Sequence, residues 1–67
     1  MYKVGDYVEL VEMGNDPDPI KPGQKGIIEE IRELTYFKQT QIWVNWEDGR
    51  NLAVILPEDK IKVLDKK

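Results

Sequence analysis

The side chains of this chain that could carry out chemistry are its carboxylates. Glu29 and Glu30 are adjacent and Glu33 follows them, while Asp16 and Asp18 stand two positions apart in a proline-containing segment. Glycoside hydrolysis needs two carboxylates at a fixed separation in a cleft, and a calcium site needs roughly six to eight oxygen ligands. We expect the first group on an exposed strand and the second on a flexible loop whose two prolines make an adaptable cage of ligands unfavourable. We therefore interpret both as solvated surface charge.

Composition excludes most nucleophilic and zinc chemistry. The chain has no His and no Cys, so Ser-His-Asp catalysis, Cys-His catalysis and Cys–His zinc sites cannot form. The glycines at positions 23 and 26 superficially resemble a phosphate loop, but the full G-x-x-x-x-G-K-[ST] spacing and the following helix are missing. The sequence predicts a protein that is not an enzyme, with no catalytic residues, no metal site and no cofactor.

Length and composition predict one folded domain. A chain of 67 residues holds a single core, and we expect one domain over residues 1–67 with its core in residues 4–64. Hydrophobic residues make up 40% of the chain, and many are β-branched or aromatic, which is unlike a disordered segment. The chain lacks Cys, an apolar signal-peptide core and any apolar run near the ~20 residues that span a bilayer. These features predict a cytoplasmic protein without a membrane partner.

Alternating apolar residues predict five short strands. The strands cover residues 7–13, 26–33, 39–47, 52–56 and 61–64. The second segment is ambiguous, because Ile27, Ile28 and Ile31 also have helical spacing. The glycine that opens it and its three isoleucines favour a strand. In the last segment we expect Ile61 and Val63 to point inward.

A tight hairpin joins the third and fourth strands, and its loop length sets their register. Asp48-Gly49 is a hairpin signal. A two-residue loop would place Leu52 on the polar face, whereas a three-residue loop with Gly49 in the left-handed region gathers the apolar residues on one face. The resulting pairs are Ile42 with Val54, Val44 with Leu52 and Trp46 with Arg50. The last pair allows a cation–π contact, and Trp43 points to the opposite face.

Proline and glycine set the other connections. Residues 14–20 form a long irregular loop with two X-Pro steps. The loop ends in a type II turn at residues 21–24, because Pro presets the first central position and Gly23 accepts a positive φ at the second. Residues 34–38 form a turn that carries two aromatic side chains. Residues 57–60 are expected to form one helical turn that begins with proline.

These elements predict an all-β fold: a small five-stranded SH3-like barrel with a long first loop and a one-turn helix before the last strand. Closure into a barrel removes exposed sheet edges. The alternative is a five-stranded OB-like barrel. That fold usually carries a helix between its third and fourth strands, for which Asp48 and Gly49 leave no room.

The chain also resembles a family of small bacterial and phage proteins known only as a domain of unknown function. The resemblance rests on residues 5–10 (GDYVEL), 16–17 (DP), 20–26 (IKPGQKG), 44–49 (VNWEDG), 52–54 (LAV) and 58–63 (EDKIKV). The family pattern is G-D-x-V-x-L, P-P-G-x-x-G, V-x-W-D-[ND]-G-S-x-L-x-L and E-D-x-[IFY]-x-[VI]. Lys21, Glu47 and Asp48 depart from it mildly. The resemblance implies an SH3-like fold over residues 4–64, a bacterial or phage source and no established activity.

An outward-facing tryptophan is the main sign of a contact surface. We expect Trp43 to lie on the outer face with Ile55 and Tyr7, since exposed aromatic and apolar side chains mark contact sites. Tyr36 and Phe37 would frame this site or plug the end of the barrel. Arg50 at the hairpin rim completes the predicted partner-binding set. The alternative is that the first loop folds over Trp43 and covers it.

Three functions are consistent with these residues. The favoured one is a non-catalytic module that docks onto an unidentified protein partner, as a monomer or weak homodimer. The second is nucleic-acid binding, as in the KOW-type modules that the chain more loosely resembles. A net charge of -3 argues against it, unless scattered lysines converge: Lys3, Lys21, Lys25, Lys60 and Lys62. The third, a phage-encoded inhibitor or small-ligand sponge, rests on the resemblance alone.

Overall fold

A computed structural model describes residues 2–14 and 17–64, and it shows an all-β fold. The strands are β1 (Tyr7–Glu12), β2 (Lys25–Leu34), β3 (Gln39–Trp46), β4 (Asn51–Leu56) and β5 (Lys60–Val63). They form one antiparallel sheet in the order β4-β3-β2-β1-β5. The predicted all-β, five-stranded, barrel-like fold is confirmed, but β4 and β5 lie at the two ends of the strand order and do not pair with each other, so the predicted removal of the sheet edges is not observed. Within the described ranges, no helix is long and apolar enough to cross a membrane.

Strand β2 contains a bulge and pairs with both β1 and β3. Residues 25–27 pair with β1, and residues 26–34 pair with β3 except at the bulge. The register with β3 shifts between Ile28 and Glu30, so that Ile28 lies opposite Val44 and Ile31 lies opposite Ile42. The bulge places Ile28 and Ile31 on the same inner face although they are three residues apart. It therefore explains the helix-like spacing of this segment.

The inner face of the sheet carries the hydrophobic core. Its buried side chains are Val8, Leu10, Ile20, Ile28, Ile42, Val44, Trp46, Val54 and Ile61. Trp46 is 3% exposed, and its indole Nε1 donates a hydrogen bond to the carbonyl oxygen of Leu52 at 3.0 Å. Ile20 reaches this cluster from the first loop, so its side chain belongs to the inner core and does not cover Trp43.

The two predicted turns are confirmed. Gly49 has φ +96° and donates its N–H to the carbonyl oxygen of Trp46 at 3.0 Å, which gives the predicted three-residue loop and register. Gly23 has φ +93°, and the N–H of Gln24 bonds to the carbonyl oxygen of Lys21 at 3.1 Å. These bonds match the bulged hairpin and the type II turn. The tight β3–β4 connection also disfavours the OB-like alternative.

The expected one-turn helix before the last strand is wrong. Residues 57–59 form a turn after a cis Leu56–Pro57 peptide bond. The Asp59 N–H donates to the carbonyl oxygen of Ile55 at 2.8 Å, and the Asp59 carboxylate accepts the N–H of Ile55 at 2.9 Å and that of Gly14 at 2.7 Å. These side-chain bonds hold a turn instead of a helix. Among the described residues, helical geometry occurs at Thr35–Phe37, a 3-10 turn between β2 and β3.

The predicted burial of β5 is half right. Ile61 is 7% exposed, whereas Val63 is 47% exposed. Val63 lies opposite Val8 in the register, on the same side of the sheet as the core. Strand β5 has four residues and lies at the edge of the sheet. The last residue of such a strand has a neighbour on one side only, and this leaves Val63 accessible to water.

Candidate docking surface

The outer face presents the predicted aromatic residue Trp43. In the register Trp43 lies between Glu30 of β2 and Ala53 of β4. The neighbours of Trp43 in the chain, Ile42 and Val44, are fully buried on the other face. The indole is half-buried, which is less exposure than a freely projecting tryptophan would have.

Tyr7 lies on the same outer face, in the row of Ile27 and Asn45. Its hydroxyl donates a hydrogen bond to Glu47 Oε2 at 2.7 Å. This bond raises the pKa of the phenol above its usual value of 10.0, with smaller contributions from desolvation and from the negative charges of Glu47 and Glu9. The phenol is thus neutral at physiological pH and tied to the end of the β3–β4 hairpin.

Ile55 extends the outer face in the opposite direction. It pairs with Gln41, which in turn pairs with Arg32, and its side chain is half-buried. Tyr7, Trp43 and Ile55 therefore share one face along successive rows of the sheet. Ile27, which the sequence left without an assigned face, joins them at 45% exposure. The bulge spacing of the isoleucines was the signal that could have placed it.

Arg50 does not belong to this surface. It is paired with Trp46 across the hairpin, at the rim of the inner face. Its guanidinium donates to the carbonyl oxygen of Asp18 at 2.7 Å and lies 3.8 Å from the carboxylate of the same residue. The side chain therefore fastens the first loop to the hairpin instead of lining the outer face. The cation–π contact with Trp46 stays a prediction.

Tyr36 and Phe37 form the most exposed aromatic pair in the described chain. Tyr36 is 97% exposed and Phe37 is 73% exposed. They lie in the 3-10 turn Thr35–Phe37, which Lys38 ends in the left-handed conformation with its N–H bonded to the carbonyl oxygen of Thr35 at 3.3 Å. The alternative that they plug the end of the barrel is wrong. They project into water from the turn that connects the end of β2 to the start of β3. We call this pair the aromatic tip.

Three of the acidic side chains singled out in the sequence contact polar neighbours. Arg32 donates to a carboxylate oxygen of Glu30, and the Asn51 amide donates to Glu29 Oε1 at 3.1 Å. The Asp18 carboxylate forms an ion pair with Arg50 at 3.8 Å. Asp16 lies outside the described residues. The residues that the structure describes contain no group of three or more His, Cys, Asp or Glu side chains able to hold a metal ion.

Three of the five lysines that could form a basic patch, Lys25, Lys60 and Lys62, lie opposite carboxylates across strands β1, β2 and β5. Glu9 of β1 lies directly between Lys25 of β2 and Lys62 of β5, and Glu12 lies opposite Lys60. Opposite charges that face each other across strands attract one another and reduce the field available for phosphates. This arrangement weakens the basic patch on which the nucleic-acid alternative depends, and that alternative stays a prediction.

Comparisons with known proteins give a family and no activity. A family model described as "Domain of unknown function (DUF4314)" matches residues 1–64. No curated protein and no solved structure matches the chain. The match covers almost the whole sequence, including every strand and the aromatic tip.

Proposed function

The chain belongs to the DUF4314 family of unknown function, and from this premise we propose that it is a non-catalytic module that docks onto a protein partner through its aromatic tip. The observation that carries this proposal is the exposure of Tyr36 and Phe37, at 97% and 73%. Large aromatic side chains contribute most of the binding energy in many protein interfaces. The proposed setting is the cytoplasm of a bacterium, with the gene on the chromosome or on a phage.

The backbone of the tip is held in a defined conformation. Hydrogen bonding between Lys38 and Thr35 closes the turn, and the ten-residue β2 and eight-residue β3 hold its base. A segment ordered before binding loses less conformational entropy on association. The partner that fits is a protein with an apolar pocket able to accept two adjacent aromatic side chains. Trp43 and Ile55, which are half-buried, would contribute a second and weaker part of the contact.

Photo-crosslinking tests the tip directly. Benzoylphenylalanine is introduced at position 36, and at position 4 as the matched control, because Val4 is 63% exposed and lies outside the tip. The full chain is then irradiated in bacterial lysate. We expect a specific adduct from position 36 that position 4 does not give. Equal adduct patterns from both positions would contradict the proposal.

A substitution series separates the tip from the outer face. The double variant Tyr36→Ala/Phe37→Ala should lose the captured partner, Trp43→Ala should weaken capture, and Val4→Ala should leave it unchanged. Because the substituted tip residues are exposed, the double variant should keep the circular dichroism spectrum and unfolding midpoint of the wild type. Retention of the partner by the double variant would overturn the placement of the site.

A further inference from the structure

The outer edge of β4 has backbone groups that point away from the sheet. The N–H of Trp46 bonds to the carbonyl oxygen of Arg50 at 2.8 Å. In an antiparallel pair, hydrogen-bonded and non-hydrogen-bonded positions alternate. Counting from Arg50, the backbone groups of Leu52 and Val54 point toward β3. Those of Asn51, Ala53 and Ile55 point toward the open edge.

Asp59 closes one end of this edge. Its carboxylate accepts the N–H of Ile55 at 2.9 Å, and its own N–H donates to the carbonyl oxygen of Ile55 at 2.8 Å. Both outward groups of Ile55 are thereby satisfied. Among the residues that the structure describes, the outward N–H and C=O groups of Asn51 and Ala53 have no hydrogen-bond partner. The free part of the edge therefore consists of two donors and two acceptors.

The opposite edge of the sheet is protected in a way that β4 is not. Strand β5 carries Lys60 and Lys62 in only four residues, and its pairing with β1 is interrupted by a register shift. The Tyr2 hydroxyl also donates to the carbonyl oxygen of Ile61 at 3.2 Å. Charge, shortness and irregularity are the features that prevent edge strands from pairing with other chains. Strand β4, with the sequence NLAVIL, has no charged residue.

We propose that a second copy of this chain pairs with the β4 edge, antiparallel, about a two-fold axis at Leu52. In this register Asn51 faces the partner's Ala53, and Ala53 faces the partner's Asn51. Each of these pairs exchanges two backbone hydrogen bonds, so the four free groups of one copy meet the four free groups of the other. The two Leu52 side chains then lie opposite each other, next to the core that each already contacts.

Two features favour a second copy as the occupant. Strand β4 carries no charged residue, so pairing two copies along it places no like charges opposite each other, although the net charge of -3 on each copy opposes close approach elsewhere. The Asp59 bonds leave only Asn51 and Ala53 free, and the two-fold register at Leu52 uses all of these groups. A register centred on Ala53 would pair Asn51 with Ile55, whose backbone groups are already occupied. This self-association uses β4 and is independent of the docking proposed for the aromatic tip.

Concentration-dependent NMR of the full-length chain tests the proposal. Four hydrogen bonds of about 1 kcal/mol each and the contact between the two Leu52 side chains, set against the entropic cost of association, correspond to a dissociation constant on the order of 1 mM or weaker, which amide spectra can detect. We expect the amide resonances of Asn51 and Ala53 to shift as the concentration rises toward about 2 mM, with sedimentation equilibrium showing a rising mean mass. The amides of Ile61 and Val63 on β5 should not shift. Unchanged spectra, or shifts confined to the aromatic tip, would overturn the proposal.

A matched pair of proline variants identifies the edge. Ala53→Pro removes an outward N–H of β4, and Val63→Pro removes one of β5, since the bond from the N–H of Leu64 to the carbonyl oxygen of Tyr7 makes Val63 an outward position. Proline is tolerated at such edge positions. Ala53→Pro should weaken association by at least about tenfold, and Val63→Pro should leave it unchanged. Equal association of both variants would exclude β4 pairing. If Ala53→Pro does not fold, the wild-type series alone decides.

Discussion

The two faces of the sheet differ although the same strands build both. On the inner face Val44 and Ile42 are fully buried and Trp46 is 3% exposed. On the outer face Trp43 is half-buried and Ile27 is 45% exposed. The inner side chains are needed to stabilise the core, because a domain of this size has only about 3–5 kcal/mol of core stability. They are therefore not available for binding. The comparison therefore assigns stability to the inner face and leaves binding to the outer face and the aromatic tip.

The largest test of the comparison uses two tryptophans of one strand. Trp46→Ala should destabilise the fold by about 3–5 kcal/mol, because it opens a cavity in the core and removes the bond to Leu52. Trp43→Ala should cost about 1–2 kcal/mol, since the indole is only half-buried. Urea unfolding, with unchanged m values as the check on a two-state transition, measures the losses, and a Trp46→Ala chain that is already unfolded without urea counts as the loss of the full core stability. Equal losses of unfolding free energy would show that Trp43 on the outer face stabilises the fold as much as Trp46 on the inner face.

A polar residue gives the second test. Asp59 is 8% exposed and accepts two backbone N–H groups. Asp59→Ala leaves both donors without their acceptor, and we expect a loss of about 2–4 kcal/mol in the free energy of unfolding. Glu58→Ala, at an exposed neighbouring position, should change it by less than about 0.5 kcal/mol. If Asp59→Ala behaves like Glu58→Ala, apolar packing of the inner face alone accounts for stability.

Fluorescence quenching sharpens the difference between the faces without disturbing the fold strongly. In Trp43→Phe the remaining emission comes from Trp46, and we expect it to be blue-shifted and resistant to iodide. In Trp46→Phe it comes from Trp43 and should be quenched more readily. Stern–Volmer slopes give the ratio. Similar slopes for the two variants would mean that Trp43 is as sheltered as Trp46.

The smallest expected effect concerns the edge of the outer face. Because the bond to Glu47 raises the pKa of Tyr7, its contribution to stability is complete below pH 10, the ordinary pKa of tyrosine, and is lost as pH rises through the higher folded value. Glu47→Gln should bring the phenol back toward its usual pKa. Phenolate absorbance during alkaline titration, with Tyr7→Phe to assign the signal, measures the shift. If the phenol titrates at the same pH in Glu47→Gln, the hydrogen bond to Glu47 is not the cause of the raised pKa of Tyr7.

Local sequence information was sufficient where neighbouring residues decide the geometry. The left-handed Gly49 and the apolar pattern around it predicted the β3–β4 register, because only one loop length puts Val44 and Leu52 on the same face. The turn at Gly23 was predicted for the same kind of reason. The spacing of the isoleucines in β2 is the sequence signature of the bulge. This spacing alone fits both a helix and a strand, and the pairing with β3 shows that it belongs to a bulged strand.

Distant partners account for the errors. Residues 57–60 resemble the start of a helix in sequence, but the Asp59 carboxylate finds the N–H of Gly14 forty-five positions away. Arg50 was predicted to contact a partner, which stays a prediction, and its guanidinium donates to the carbonyl oxygen of Asp18, thirty-two positions away. In both cases the fold brings a polar side chain to a hydrogen-bond partner that is distant in sequence, and local sequence patterns do not identify such a partner.

The sequence by itself determined the number of strands, the turns between β3 and β4 and before β2, and the shared face of the apolar residues of β3 and β4. These follow from side-chain alternation and from backbone preferences, which act over a few residues. Only the tertiary structure decided which outward residues are accessible, which edge lacks protection and where Asp59 bonds. Exposure and pairing depend on elements distant in sequence, and no local pattern specifies what will lie beside them.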